Sequence, residues 1–439
     1  MTLALDRTRA QRSPERNEIL RDGRLAGLTA DELADRFGTP VFLYDLDVID
    51  RQVRTLRDAL PPRAELAYAM KANPALAIVA HLGRLGLGAD VASAGELATA
   101  LRAGIGRDRI VMTGPGKRDE ELAAAVAAGI RAITVESPGE LARLESLARE
   151  AGRRQAVMLR AAVAHDAPAE RVRLVGDGGA GKFGMDAADL AAAARFAEDS
   201  SHLELRGLHG FGASNVLDAG ELVAHVASMG RAARSIASAI GRPMKIVDAG
   251  GGLGIPYEDG DGSLDLDALR AGLAEVAEQW SKDPVLADAH LLLEPGRFLV
   301  GPAGAYLARV VDRKSIDGRE VAILDGGVHH VLRPALVRTE HRVRPLGPVA
   351  GRPVPMTIAG PLCSGLDILA SGAVMAPPSV GDVVAVLDVG AYGFTESMPY
   401  FLSHPIPAEV IVRNGQAECI RPRLDPVTWL EAQVIPDLR

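Results

Sequence analysis

The chain has 439 residues, of which 48% are hydrophobic and 24% are charged, and its formal net charge is −8. This composition is typical of a soluble globular protein with a sizeable core. The acidic balance argues against nucleic acid or an anionic membrane as the main partner. The N-terminus carries charges from Asp6 onward, and no apolar run is long enough to span a bilayer, so neither a secretory signal nor a membrane segment is predicted. Two cysteines make neither a disulfide framework nor a metal cluster, and we expect a reduced, cytoplasmic protein without a metal.

The first two thirds of the chain predict a barrel. Residues 28–40 have helix-start and helix-stop residues, and residues 41–46 have the composition of a strand. From about residue 45 to residue 295, short apolar runs alternate with Ala- and Leu-rich helical stretches such as 138–152. The runs begin at residues 64, 88, 108, 131, 155, 203, 244 and 290. About eight strand–helix units favour a closed parallel α/β barrel of the TIM type over an open sheet.

The last third predicts a different architecture. After residue 296 the chain has β-rich runs separated by turn residues, with few helical stretches. We therefore predict a barrel over residues 45–295 and a C-terminal antiparallel β domain over residues 296–439. Residues 1–44 are expected to pack on the β domain.

Polar side chains recur where the predicted barrel strands end. They are Lys71, Asn73, Asp90, Ser93, Glu136, Ser137, His209, Asp248, Glu294 and Arg297. Active sites of such barrels lie at the carboxyl ends of the strands. Lys71, in "YAMKANP", suits a Schiff base with a carbonyl cofactor or substrate, although a lone lysine at a helix start more often forms a salt bridge.

Two further motifs suit a phosphate-bearing cofactor. "DAGGGLG" (248–254) follows an apolar run and can expose backbone N–H groups to a phosphate, although a tight structural turn explains it equally well. "EPGRFLVGPAG" (294–304) places Glu294 three residues before Arg297. A carboxylate can hold a protonated pyridine nitrogen and a guanidinium can bind phosphate, and a surface ion pair is the alternative.

One segment comes close to a nucleotide-binding loop. "GDGGAGKF" (176–183) matches the P-loop pattern except at its last position, where Phe183 has no hydroxyl for Mg²⁺. An ATPase is therefore far less well supported than a Schiff-base enzyme.

The motifs taken together resemble one family. In chain order they are "YAMKANP", "GADVASAGEL", "VMTGPGKRDEEL", "TVESPGEL", "KFGM", "GLHGFGAS", "DAGGGLGIPY", "EPGRFLVGPAG", "DGGVHHVLRPAL", "GPLCSGLD" and "GAYG". This series resembles the fold-type III pyridoxal phosphate (PLP) decarboxylases, such as the diaminopimelate, ornithine and arginine decarboxylases. These enzymes share their barrel with alanine racemase. The resemblance covers about residues 38–410.

The resemblance implies a role for each matching residue. Lys71 corresponds to the lysine that binds PLP covalently, Glu294 to the partner of the pyridine nitrogen, and Asp90 to a residue that supports Lys71. Cys363 corresponds to the acid that protonates Cα after carbon dioxide leaves. It is implied to act in the partner subunit's site, and hence the resemblance implies a homodimer with shared active sites. The implied phosphate contacts are Ser214, Gly251, Gly252, Arg297 and Tyr392.

The departures from the family pattern concern the substrate. Phe211 occupies the position of a histidine that stacks on the cofactor ring. Ser364 follows Cys363 where the family has an acidic residue that holds a distal amine, so a free distal ammonium is expected to bind poorly. Arg333 remains, and in diaminopimelate decarboxylases the corresponding arginine contacts a substrate carboxylate. The predicted substrate-binding residues are Arg333, Ser364, Asp367 and His330.

Three functions are compatible with these residues. The first is PLP-dependent decarboxylation of a modified or carboxylate-bearing amino acid, with the side chain joined to a carrier protein or to a citrate-type fragment. The second is diaminopimelate decarboxylase of lysine biosynthesis, which Arg333 favours and Ser364 opposes. The third is a non-catalytic, partner-binding protein or an amino-acid racemase on the same fold.

Overall fold

The computed structural model describes residues 19–162, 181–337, 340–347 and 349–437. Most of the segment that resembles a P-loop, residues 176–180, lies outside these ranges. Within them, no helix is long and apolar enough to cross a membrane. Cys363 and Cys419 are both free thiols on the surface.

The N-terminal part forms a small hairpin, a helix and a strand. The elements are β1 Leu20–Arg21, β2 Arg24–Leu25, α1 Ala30–Phe37 and β3 Val41–Asp45. Thr29 caps α1: its side chain accepts a hydrogen bond from Glu32 N, and the Glu32 carboxylate accepts one from Thr29 N. This reciprocal capping satisfies two backbone donors and fixes the helix start. The helix and the strand predicted for residues 28–46 are both confirmed.

The eight predicted parallel strands form a closed barrel. They are β4 Ala64–Ala69, β5 Gly88–Val91, β6 Ile110–Met112, β7 Ala132–Val135, β8 Gln155–Arg160, β9 Leu203–His209, β10 Ile246–Asp248 and β11 His290–Leu293. The accompanying helices are α2 Leu46–Asp58, α3 Leu76–Arg84, α4 Ala94–Arg102, α5 Asp119–Ala128, α6 Pro138–Glu150, α7 Ala187–Asp199, α8 Ala219–Ile240 and α9 Leu266–Ser281. The predicted barrel is thus confirmed, with α6 ending two residues before the predicted limit at residue 152.

The middle of the barrel is filled by side chains, several of them small. A separate buried cluster consists of Ala67, Val111, Ala132, Ala156, Met158, Ile246 and Leu292. Every member is at least 94% buried, so the barrel is a packed core and not a pore. The space for chemistry is therefore at the ends of the strands.

A second sheet is built around the C-terminal third of the chain. The short helices α10 Arg297–Val300 and α11 Arg333–Val337 accompany strands β12 Gly304–Ile316, β13 Arg319–Leu324, β14 Val343–Pro345, β15 Val354–Ala359, β16 Ile368–Met375, β17 Val383–Leu387, β18 Ala408–Arg413 and β19 Gln416–Arg421. The strand order is β16-β15-β13-β12-β3-β18-β19, and β17 pairs with β12 and β14. The predicted second β domain is confirmed.

Two details of this sheet differ from the prediction. It is mostly antiparallel, but β13 pairs with β15 and β3 pairs with β18 in parallel. β3 comes from before the barrel and β18 from after it, so the two strands can run in the same direction without a hairpin. β3 ends at Asp45, and the last barrel strand ends at Leu293. The domain boundaries predicted at residues 44 and 295 stay a prediction.

Candidate active site

Four of the polar residues predicted at the barrel strand ends, Lys71, His209, Glu294 and Arg297, line one cavity, whereas Ser93 and Ser137 cap helices α4 and α6. Lys71 lies in a 3₁₀ turn, Met70–Ala72, directly after β4, and Glu294 directly follows β11. The cavity walls include Lys71, Phe211, Ser214, Asn215, Gly251, Gly252, Glu294, Arg297 and Tyr392. A connected space of about 280 Å³ has further wall residues, which are Thr113, Arg160, Phe183, His209, Arg333 and Glu396. The prediction from the strand ends therefore placed the cavity, but it named only four of the residues that line it.

Lys71 faces a buried carboxylate. Its Nζ lies 3.6 Å from Asp90 Oδ2, and 48% of the Lys71 side chain is accessible because it faces the cavity. Asp90 also accepts a 2.5 Å hydrogen bond from Thr113 Oγ1, which fixes the carboxylate. Burial would lower the pKa of Lys71, but Asp90, Tyr392 and Glu294 outweigh burial and raise it. The free lysine is accordingly a cation, and it must lose a proton to a base before its amine can condense with a carbonyl group.

Glu294 is an ionised carboxylate beneath the cavity. His209 Nε2 lies 3.4 Å from Glu294 Oε2, and both side chains are almost fully buried. Burial would raise the pKa of Glu294, but His209 and Lys71 outweigh burial and lower it. Burial and the charge of Glu294 raise the pKa of the adjacent Asp248. Apart from its contact with Asp248, Glu294 Oε1 has no hydrogen-bond partner among the described residues, so it can accept one from a bound group.

The same three side chains could also ligate a metal ion by distance alone. One ligand atom from each of His209, Asp248 and Glu294 lies within 4.8 Å of the others. Glu294 faces both this cluster and the cavity, which links it to the Lys71 side of the site.

The glycine-rich loop after β10 forms a cradle with Arg297. A Cβ on Gly251 would lie 2.4 Å from Glu294 O, and Gly252 has φ +98°, a conformation that favours glycine. Arg297 is buried and donates to the Tyr257 hydroxyl and, at 3.2 Å, to Ser214 Oγ. Backbone N–H groups, a hydroxyl and a guanidinium are suitable ligands for a phosphate.

Tyr392 reaches this cradle from the second domain. Its ring lies under the Arg297 guanidinium, with 4.6 Å between the guanidinium carbon and the ring centroid. Two contacts join its loop to the Lys71 turn: Tyr392 N donates to Ala72 O at 2.8 Å, and Asn73 Nδ2 donates to Gly390 O at 3.0 Å. The lysine turn and the Tyr392 loop are therefore held as one unit.

The other half of the cavity carries two ion pairs. Arg160 Nη1 donates to Glu136 Oε1 at 2.5 Å, and its guanidinium lies over the Phe183 ring. Arg333 Nη1 lies 3.7 Å from Glu396 Oε2. Burial raises the pKa of Glu396, while Arg333 acts in the opposite direction. This half is where a substrate side chain would extend from Lys71.

Besides Asp90, which reaches the site through its contact with Lys71, four residues of the predicted site do not line the cavity of their own chain. Cys363 is exposed, and Ser364 Oγ accepts a hydrogen bond from Leu366 N within the same turn. Asp367 is buried and accepts from Val328 N and Leu362 N, which tie two loops together. His330 is buried, with Nδ1 2.8 Å from the Tyr306 hydroxyl. Their predicted roles at the site stay predictions.

Sequence reasoning missed several residues that the fold brings into the site. Arg160 ends β8, so the strand-end rule could have found it. Tyr257 belongs to the motif that contains the glycine loop, but no periodicity marks it as a partner of Arg297. Glu396 lies in "GFTESMPY" and reaches the cavity only through the packing of the second domain.

The residues present fit pyridoxal phosphate. The fit rests on three observations: an accessible lysine on a strand end, a buried carboxylate with an unused oxygen, and a glycine cradle beside a guanidinium. These groups match the aldehyde, the pyridine nitrogen and the phosphate of the cofactor. Fold and site together define a PLP enzyme built on a (β/α)₈ barrel.

Comparison with known proteins gives the family. Residues 46–301 match the family model described as the pyridoxal-binding domain of pyridoxal-dependent decarboxylases. The L-glutamyl-[BtrI acyl-carrier protein] decarboxylase of Niallia circulans is 32% identical, over 89% of this chain and 92% of that protein. The diaminopimelate decarboxylase of Aquifex aeolicus is 34% identical, over 92% of this chain and 94% of that protein. A crystal structure of diaminopimelate decarboxylase from M. jannaschi superposes with a TM-score of 0.87 at 28% identity, over 95% of this chain and 98% of that one.

The chain belongs to the family of pyridoxal-dependent decarboxylases. It is a PLP-dependent amino-acid decarboxylase, a carboxy-lyase, and its cofactor is pyridoxal 5'-phosphate. The predicted fold, cofactor and reaction are thereby confirmed, and the non-catalytic and racemase alternatives lose their support.

Proposed function

We propose that this enzyme removes the α-carboxylate of an amino acid whose side-chain carboxyl group is joined to a carrier protein. One observation carries the proposal. Two carboxylates line the cavity: Glu294 Oε2 lies 3.4 Å from His209 Nε2, and Glu396 Oε2 lies 3.7 Å from Arg333 Nη1. The described residues of the cavity wall therefore offer a free distal ammonium no carboxylate other than these two, of which Glu294 is assigned to the cofactor and Glu396 faces Arg333.

Ser364 supports the same conclusion. The hydroxyl of Ser364 cannot give the charge-assisted hydrogen bond that a carboxylate gives to an ammonium. The glutamyl-carrier-protein decarboxylase among the relatives acts, by its name, on a carrier-bound amino acid. If the α-carboxylate is to leave, the link to the carrier must be through the side-chain carboxyl, and this leaves no charge at the distal end.

In the proposed mechanism, the chain positions groups around the cofactor, which supplies an electron sink when bound. Lys71, supported by Asp90, would hold the cofactor covalently. Glu294 would face its ring nitrogen, Phe211 would pack on its ring, and Arg297 with Ser214, Gly251, Gly252 and Tyr392 would hold its phosphate. Cys363 would supply the proton that replaces the lost carboxylate on Cα.

We further propose a homodimer in which Cys363 of one subunit serves the site of the other. Cys363 is exposed and does not line the cavity of its own chain. Leu366, three residues on, is 68% exposed. Both side chains are therefore accessible to a second copy of the chain.

The test is carbon dioxide release from purified, PLP-loaded enzyme. We expect release from L-glutamate joined through its γ-carboxyl as a pantetheine thioester, and at least about a hundredfold lower kcat/KM for free L-glutamate. Equal kcat/KM values for the two compounds would contradict the requirement for a conjugated side-chain carboxyl group.

A second candidate is diaminopimelate decarboxylase. Arg333 lines the cavity and is a cation that a distal carboxylate could contact. The same assay with meso-diaminopimelate distinguishes the two, since this candidate requires rapid release with lysine as the product.

A further inference from the structure

The Arg333–Glu396 pair is the feature of the cavity that the proposed roles leave unused. Arg333 is 4% exposed and begins α11. Glu396 is half-buried and lies in a loop of the second domain. Both side chains line the cavity that contains Lys71.

The two charges face each other without a hydrogen bond. The distance of 3.7 Å between Arg333 Nη1 and Glu396 Oε2 is too long for one. Arg333 Nε and Glu396 Oε2 are buried and have no hydrogen-bond partner among the described residues. Buried charged groups are normally hydrogen-bonded, so each of these atoms has capacity for a group that enters the cavity.

Packing keeps the Arg333 guanidinium in place. It lies 5.3 Å from the Tyr257 ring centroid and 5.6 Å from that of Tyr392. Arg297 lies against the same two rings, so Arg333 cannot move toward it without like-charge repulsion. Arg160 is already paired with Glu136. Glu396 is thus the carboxylate of the cavity wall that balances Arg333.

We propose that Glu396 is a specificity-determining residue: by balancing Arg333 it makes this end of the cavity select a neutral carbonyl group, as in an ester, thioester or amide, and reject a free carboxylate. A neutral carbonyl accepts a hydrogen bond from Arg333 and leaves the ion pair intact. A carboxylate bound at Arg333 would lie next to Glu396, and the repulsion between the two negative charges would oppose its binding. The inference rests on the proposed function and extends it by naming the residue that excludes the unconjugated acid.

The experiment measures binding, not turnover. Glutarate, a dicarboxylate without an amine, is titrated calorimetrically into PLP-loaded wild type, Glu396→Gln, and the control Glu418→Gln, which changes an exposed carboxylate on β19. The glutamine is isosteric and removes only the charge. We expect Glu396→Gln to bind glutarate at least about tenfold more tightly than wild type, and Glu418→Gln to bind like wild type.

A double variant tests whether the gain in glutarate affinity depends on Arg333. Adding Arg333→Met to Glu396→Gln should abolish the gain, and the cofactor content and melting temperature of each variant show that fold and PLP binding are retained. Unchanged or weaker glutarate binding by folded, PLP-loaded Glu396→Gln would overturn the inference, and a gain that survives Arg333→Met would overturn it too. Because no turnover is measured, the inference can fail while thioesters are still decarboxylated, or hold while they are not.

Discussion

Lys71 is the residue on which the proposed chemistry depends. It is the one lysine of the described cavity wall, and it lies 3.6 Å from Asp90. Lys71→Ala should abolish carbon dioxide release and the absorbance of covalently bound cofactor, because no other described amine of the wall can replace it. Lys71→Arg is the control, since it keeps the charge beside Asp90 but cannot bind PLP covalently. Residual wild-type activity in either variant would contradict the assignment.

Ser364 gives the second prediction at this scale. Ser364→Glu should place a carboxylate beside Cys363 and improve kcat/KM for substrates with a free distal ammonium by about tenfold or more. Ser364→Gln is the matched control, since it adds the same volume without the charge. An equal effect of both variants would mean that side-chain volume, and not charge, decides at this position.

Single residues also show how far the sequence predicts the site. Lys71, Asp90, His209 and Glu294 follow from one rule, because all lie at the carboxyl ends of barrel strands. Glu396 does not follow from any local pattern, since only the docking of the second domain brings it to the cavity. For Asp367 and His330 the motif indicated a substrate pocket, but within one chain their side chains bind backbone and Tyr306.

At the scale of elements, the link between the lysine turn and the Tyr392 loop should matter for cofactor affinity. Asn73 is buried, donates to Gly390 O and accepts from Ala75 N. Asn73→Ala should destabilise the fold by about 1–3 kcal/mol, because it leaves buried backbone groups unpaired. It should also weaken PLP binding, measured by fluorescence titration. Wild-type stability together with wild-type PLP affinity would show that this link is dispensable.

A pH-dependent contribution to the stability of the fold is expected at the end of the barrel where the strands begin. Glu204 on β9 is paired with Arg206 and Lys245, which lower its pKa to about 2 from an ordinary 4.5. A carboxylate whose pKa is lowered in the folded state stabilises the fold above pH 4.5, and this contribution to the free energy of unfolding is lost as the pH falls toward 2.

Glu204→Gln should therefore lower the free energy of unfolding by up to about 1 kcal/mol at pH 7, a value reduced for solvent screening. The difference from wild type should shrink as the pH falls through 4.5 toward 2. Denaturant unfolding at several pH values measures it, with Glu418→Gln as the exposed control. A difference that is constant across pH would mean that packing, not charge, is lost.

The elements themselves were predictable to different degrees. The barrel strands are apolar runs between helical stretches, so their number and order followed from periodicity. β16 was not predicted because "ILASGAVM" is interrupted by Ser371 and Gly372, and it is a strand through pairing with β15. The parallel pairing of β3 with β18 joins residues far apart in the chain, which no local pattern can indicate.

At the scale of the whole molecule, the shared site of the proposed dimer can be tested by complementation. Lys71→Ala and Cys363→Ala homodimers are each expected to be inactive or slow. After subunit exchange, half of the dimers should be mixed, and each mixed dimer should contain one intact site. Activity should then recover to about a quarter of wild type. No recovery in a mixture shown to contain mixed dimers would place Cys363 and Lys71 in the same chain's site, or remove Cys363 as the acid.

The most direct test of the proposed substrate class is carbon dioxide release from PLP-loaded enzyme offered meso-diaminopimelate, beside the same enzyme offered γ-glutamyl pantetheine thioester. We predict release from the thioester and none from meso-diaminopimelate, because Ser364 and the balanced Arg333–Glu396 pair give its distal ammonium and carboxylate no site. Rapid release from meso-diaminopimelate with lysine as the product would contradict the account.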